Sequence, residues 1–396
     1  MRRKTLQTLL VLALVALAAL LRRPDAFFQP QFFVEDGAVF FKQDYERGAS
    51  AIWTTYAGYL HLIPRLIAFF ASAFPLELRP RVYTHSCLAV LWAITAWTMR
   101  ERIALPYRPA FALAPMLIPI GPFIYLHLTN IQWFTAIVLL LSLVQRPATS
   151  YRQAAFDTLT CLLVGLTGPF SIVALALSPM RLWIHGFRKL DLPFYLSLAV
   201  CAMVQATLLL TASSSKGGSF HHVTAKFLGL QGARYLMGDG VANLMTPFQL
   251  SGVALLLVAC LAFIVLASQD MKKLATFFFA SASLVFVVGL YRSSGEVPKV
   301  NAFHSGIRYM FLPHLCVTYI LLLGLSSGRL GRWLSAPLLL LASVASATTF
   351  TMPTPEDLHF ERYCDDIRAG KPVTVPLLHE GWSMTLNSAR TKPSPH

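Results

Sequence analysis

Residues 58–74 read GYLHLIPRLIAFFASAF, and how they meet the membrane sets the sidedness of everything after them. The run is apolar, but His61, Pro64 and Arg65 interrupt it. If it crossed the membrane, every later loop would change sides and the triplet RER at 100–102 would join the outer loops. Read instead as an interfacial or re-entrant helix along the outer leaflet, it keeps the basic residues of the short loops together. Upstream, TLQTLLVLALVALAALL (5–21) follows MRRK. No clean small-x-small cleavage site stands before Arg22 and many apolar segments follow, so an uncleaved first span is expected rather than a signal peptide.

Those segments lie near 82–99, 110–126, 131–145, 154–166, 168–180, 191–211, 248–268, 274–291, 307–325 and 333–350. With the first they predict an all-α polytopic membrane protein of about 11 transmembrane helices, several of them short for a ~30 Å hydrocarbon core. Interfacial helices are expected in the first outer loop, over 58–74 and again over 37–47. The segments flanking GLTGPFS (165–171) read either as two short spans or as one re-entrant hairpin, since such a break is tolerated only against protein or water.

Composition agrees. Of 396 residues 56% are hydrophobic and 13% charged, and the mean hydropathy is +0.58. A soluble chain of this length carries far more charge on its surface. The net charge of +15 would suggest nucleic acid in a soluble protein, but here the basic residues punctuate apolar runs and no nucleic-acid motif occurs. With the N-terminus inside, the short inner loops hold 15 basic residues and four acids, leaving 18 and 14 for the outer segments, a net of +11 against +4. Basic residues in short loops set orientation. The expectation is therefore a multi-pass protein of the cell inner (plasma) membrane, N-terminus cytoplasmic and C-terminus outside. Residues 1–350 form the transmembrane module and 351–396 a short tail on the outer face. The long outer segments are 22–81, 213–247, 292–306 and the tail, so chemistry should face outward. Five of the six cysteines lie in apolar runs and Cys364 stands in the tail. No CxxC or Cys/His spacing points to a disulfide framework or a zinc site.

The candidate site starts at FVEDGAVFFKQ (33–43). One acid before an apolar run caps a helix. Two, Glu35 and Asp36, among Phe32, Phe33, Phe40 and Phe41 at an interface, are costlier and mark a functional candidate. One carboxylate would act as a general base toward an acceptor hydroxyl. The pair could take a divalent cation, though two acids make a thin metal site, and no nucleotide cofactor is expected. His61 and Arg65 are spaced i, i+4 and read either as a wetted helix face or as a phosphate contact. In HLTNIQWF (127–134), His127, Asn130, Gln132 and Trp133 occupy a short outer turn whose amides and aromatic ring suit a sugar. In FHSGIRYMFLP (303–313), His304, Arg308 and Tyr309 stand where a loop enters a span. There an Arg either snorkels to the interface or binds an anionic phosphate.

Together VEDG (34–37), YAGYLHLIPRLIA (56–68), TNIQWF (129–134), LTGPFS (166–171), IRYMFLP (307–313) and the first-span layout resemble the GT-C superfamily of integral-membrane glycosyltransferases. The resemblance covers most of residues 1–326 and the short tail pattern. It implies many spans, a large first outer loop with interfacial helices, a catalytic acid early in that loop, and a polyprenyl-phosphate sugar donor. Glu35 or Asp36, with Asp36 slightly favoured, would deprotonate a hydroxyl of a glycan, lipid or protein acceptor. Arg65, Arg308 and His304 would hold the departing lipid phosphate, and a single displacement would invert the anomeric centre. The competing reading is a transporter, flippase or polymerase-like protein for polyprenyl-linked glycans, since buried charges and broken helices also mark transport paths. Against it, no internal repeat is visible and the polar residues cluster in the outer loops.

Overall fold

The computed structural model describes residues 2–212, 223–267, 271–293, 300–304, 306–351, 355–379 and 381–387. The chain is a mostly helical, membrane-embedded protein. Its helices are α1 (Arg2–Arg22), α2 (Pro24–Phe28), α3 (Lys42–Arg47), α4 (Leu62–Ala71), α5 (Arg79–Thr98), α6 (Arg108–Leu117), α7 (Ile131–Val144) and α8 (Tyr151–Gly165). They continue as α9 (Phe170–His185), α10 (Leu192–Thr211), α11 (Ala225–Leu244), α12 (Pro247–Ala267), α13 (Lys272–Ser293), α14 (Arg308–Leu325), α15 (Gly328–Ala347) and α16 (Cys364–Arg368). A π-helical turn, Asp36–Phe41, leads into α3. A single antiparallel hairpin, β1 (Val373–Pro376) and β2 (Ser383–Leu386), pairs Val373 with Leu386 and Pro376 with Ser383.

Burial explains the arrangement. Every residue of α7 is buried, and it packs against α5, α8, α9 and α14, so this all-round apolar helix is the hub. By contrast α1, α12 and α15 turn large apolar side chains outward, among them Leu9, Leu17, Leu255, Leu256, Leu340 and Val344. An apolar face of that extent on a helix belongs in lipid.

Among the described residues, six helical stretches are long and apolar enough to cross a membrane: Lys4–Arg22, Lys189–Thr211, Pro247–Leu266, Lys272–Ser293, Arg308–Leu325 and Gly328–Phe350. The eleven expected spans are not all of this kind. The 110–126 segment yields only the ten-residue α6. Prolines at 115, 119 and 122 interrupt it, because proline has no amide hydrogen to give. The carbonyls left over are taken by Arg22, which donates to Met116, Ile118 and Ile120 at 2.7–3.0 Å and to Ser346 Oγ at 2.8 Å. The 58–74 run yields α4, also ten residues, about 15 Å at 1.5 Å per residue. It buries Arg65 and Ala68 and exposes Leu66, Phe69 and Phe70, as a helix does that lies with its apolar face toward lipid. The stretch 213–247, expected as an outer loop, is not all loop over its described part, 223–247. Residues 225–244 form α11, started by Thr224 Oγ1 accepting from the Phe227 amide at 3.2 Å and kinked at Gly238 (φ 81°). Its four glycines had diluted the helical pattern.

Candidate active site

The two acids of VEDG do different things. Asp36 is 3% exposed. Its Oδ2 accepts from the Leu128 amide and its Oδ1 from the Thr129 amide, each at 2.9 Å. Both oxygens thus cap the turn that opens α7, on a separate element. His127 sits on the same carboxylate, Nδ1 to Oδ2 at 3.7 Å, stacked on Phe33 with ring centroids 4.0 Å apart. Arg23 donates to His127 Nε2 and to the Tyr125 carbonyl, so the imidazole hydrogen is on Nδ1, toward Asp36. Asp25 pairs with Arg23 at 2.6 Å, both buried. Burial pushes the Asp36 carboxyl up to about 7 despite the two amides, with Glu35 adding to the rise, and burial beside Arg23 holds His127 well below its usual range. This chain of groups ties the acid motif to the HLTN turn.

Glu35 faces the other way. Its Oε1 lies 3.4 Å from Arg308 NH1 and 3.5 Å from the Tyr56 hydroxyl. Tyr56 and Arg308 line a cavity of about 280 Å³ together with Tyr59, Gln132, Trp133, Arg292 and Tyr309. The rest of the wall is apolar: Phe170, Ile172, Val173 and Ala176 from α9, Leu209 from α10, and Leu284, Val285 and Val288 from α13. Val288 is exposed on the outside of the helix bundle. The cavity is therefore a trough with a cationic, hydroxyl-rich head and a greasy body. Trp133 packs edge-on against Phe170 and Tyr309, centroids 4.8 and 5.7 Å away. Its Nε1 and Gln132 Oε1 are buried and have no hydrogen-bond partner.

Over the head lies a two-residue turn. Tyr56 and Tyr59 exchange backbone hydrogen bonds at 3.0 and 3.2 Å around Ala57 (φ 53°) and Gly58 (φ 87°), the positive-φ pair of a type I′ turn. A side chain at 58 would also crowd Ala212 at 3.1 Å. Arg292 reaches the Ala57 carbonyl at 3.3 Å. Burial and Glu35 push the Tyr56 phenol up to about 12.

Other sequence candidates lie elsewhere. His61 is fully buried among Phe40, Tyr56 and Tyr59. Burial, then Arg65, pulls it down to about 3, so it is a neutral ring. His61 precedes the helix as its N-cap, its carbonyl accepts from the Arg65 amide at 3.0 Å, and both side chains pack on Phe40, so the pair shares one side that is buried rather than wetted. Arg65 is buried over Phe40, its centre 4.9 Å from the ring, and donates to Gln43 Oε1 at 2.6 Å. It does not line the cavity. Asn130 donates to the Phe123 carbonyl at 3.1 Å. His304 is 3.4 Å from Asp239, in a cluster with Arg234 and Asn301. Neither Arg65 nor His304, the expected phosphate contacts, lines this cavity.

The tail completes the site from behind. The Leu378 amide donates to the Phe32 carbonyl at 3.1 Å. Gln31 pairs with the tail at both ends of its amide, to Glu356 O at 2.8 Å and from Leu358 N at 2.9 Å. Leu377 presses on Gly37, leaving no room for a Cβ.

Sequence reading passed over Tyr56, Tyr59 and Arg292. The YAGY turn was visible in the sequence; Arg292, in the last turn of α13, looks like any cation at a span end. Among the described residues no three His, Cys, Asp or Glu side chains gather as metal ligands would. No known protein family, curated protein or solved structure matches the chain.

Proposed function

We propose that the protein is a membrane glycosyltransferase. It moves a sugar from a polyprenyl-phosphate donor to an envelope glycan, lipid or protein acceptor, on the outer face of the membrane, with the N-terminus inside. The observation that carries this reading is the trough. Two arginines and three tyrosines crown an apolar groove, and a carboxylate stands directly behind Arg308. A lipid phosphate needs that pairing of cation and grease, and guanidinium suits its oxygens.

In this reading the base is Glu35. Asp36 has both oxygens engaged by backbone amides. The acceptor hydroxyl oxygen attacks the anomeric carbon as its proton passes to Glu35. The bond from that carbon to the phosphate oxygen breaks, and the polyprenyl phosphate leaves with the electron pair. Arg308 and Arg292 face the charge that builds on the leaving oxygens. One displacement inverts the centre. Gln132 and Trp133 line the trough where the sugar would sit, and the HLTN turn, held by Asp36, sets their position.

The test compares, by mass, envelope glycans and lipids from cells with the intact gene, a deletion, and Glu35→Gln. Loss of the same single sugar in deletion and variant is the expected result. A glycan missing in the deletion but present in Glu35→Gln overturns the transferase reading in favour of binding or transport.

A further inference from the structure

Gln205 is a fully buried amide inside the apolar run LPFYLSLAVCAMVQATLLLT of α10. An amide in a spanning helix costs free energy unless both its ends are satisfied. Here both are satisfied by one residue outside the helix. Gln205 Oε1 accepts from the Leu60 amide at 2.9 Å, and Nε2 donates to the Leu60 carbonyl at 3.2 Å. The side chain pairs with the backbone as a neighbouring strand would. Leu60 follows directly on the Tyr56–Tyr59 turn. The same carbonyl accepts from Gly168 at 2.8 Å, and Leu62 donates to Leu166 at 3.1 Å. The Thr167 hydroxyl accepts from the Ile63 amide at 3.1 Å. The turn is thus pinned to α10 and to the break between α8 and α9.

We infer that Gln205 is a positioning residue for the ligand in the trough: by gripping Leu60 it holds the Tyr56 and Tyr59 hydroxyls at the polar head, one on Glu35 and the other in the cavity wall. The alternative is that it merely fastens α10 to the bundle. The geometry favours the first, since both of its bonds end on the loop and none on a neighbouring helix. Four residues away from Leu60 the chain carries the Tyr56 hydroxyl that touches Glu35, so slack at Leu60 is felt at the acid. The inference rests on the ligand chemistry proposed above.

The experiment uses full-length protein in detergent with farnesyl phosphate as the probe. Calorimetric binding is measured for wild type, Gln205→Leu, Gln205→Glu, Tyr59→Phe and the Gln205→Leu/Tyr59→Phe double variant, and each is also melted. Gln205→Leu keeps the volume and removes both bonds, so binding should weaken about tenfold, as loss of one to two net hydrogen bonds implies. Gln205→Glu retains the acceptor for the Leu60 amide and should fall between. Because Gln205 acts through the turn, the double variant should bind no worse than the weaker single one. Equal binding by wild type and Gln205→Leu, or additive losses in the double variant, overturns the inference. So does a binding loss that tracks the fall in melting temperature across all variants. Absence of farnesyl phosphate binding to wild type overturns the ligand reading instead, and with it the premise. Deuterium exchange at 54–61 then reads the grip directly: it should rise in Gln205→Leu, and unchanged exchange overturns the inference without any ligand.

Discussion

Replacing Asp36 by Asn keeps the shape of the cap and removes half of its acceptors. The carboxylate serves the Leu128 and Thr129 amides with one oxygen each. Asn offers one oxygen, and its NH2 then faces an amide that also donates. Leaving one buried amide unserved costs about 1–3 kcal/mol. Spread over an unfolding entropy that scales with chain length, this lowers the melting temperature by about 1–4 °C. The difference carries a pH signature. The folded carboxyl titrates near 7 against an ordinary 3.8, so its contribution is full below 3.8 and lost as pH rises through 7. From pH 6 to 8 wild type loses about 1.4 kcal/mol through this group and the Asn variant does not. The deficit should therefore shrink with rising pH, and the buried histidines, common to both proteins, cancel. A thiol-reactive dye follows the melt, because Cys87, Cys161, Cys201, Cys316 and Cys364 are buried until the fold opens. A variant that melts with wild type at both pH values, or a deficit that widens toward pH 8, refutes the cap.

Glu35→Gln should cut sugar transfer by a factor of about 10²–10⁴ while leaving the melt unmoved, as read by product mass from purified protein. Arg308→Gln and Arg292→Gln should each weaken farnesyl phosphate binding by about tenfold or more, since a charge-assisted contact is worth about 1.5–3 kcal/mol; Arg65→Gln should leave binding unchanged in the same titration. His61 is neutral when folded and titrates near 3, below its ordinary 6.5. Its stability is present above 6.5 and is lost as pH falls toward 3, so His61→Phe should melt less steeply with acid than wild type. Gly37→Val should push Leu377 off the acid motif and open the tail to limited proteolysis at unchanged helical content by circular dichroism.

Apolar runs carried most of the helices into view, because lipid leaves a chain few alternatives. Breaks were harder. Helix α6 stops where three prolines crowd, and the structure repairs the loss with Arg22, a residue 94 or more positions away in sequence. That compensation has no local sign. At the site, the acid pair, Gln132, Trp133, Arg308 and Tyr309 were picked out because each is a polar or amphipathic group at a membrane boundary. The division of labour between Glu35 and Asp36 was not, since it depends on which carboxylate meets the amides of 128 and 129. The spacing of His61 and Arg65 put them on one side of the chain, but their burial was not legible, since it depends on Phe40 from the acid motif packing over both.

The tail gives the assembly an order in time. Gln31, four residues before Glu35, is bonded to a segment 325 positions later in the chain. During synthesis the acid motif therefore emerges and settles at the membrane long before the strand that backs it exists. Every intervening helix is made first, and contacts so distant in sequence close slowly. A chain that stops short of residue 355 lacks the Glu356 carbonyl and the Leu358 amide that Gln31 meets, and leaves the acid motif open at the back. The backing of the acid motif is in this sense a report that translation has passed the last helix of the bundle.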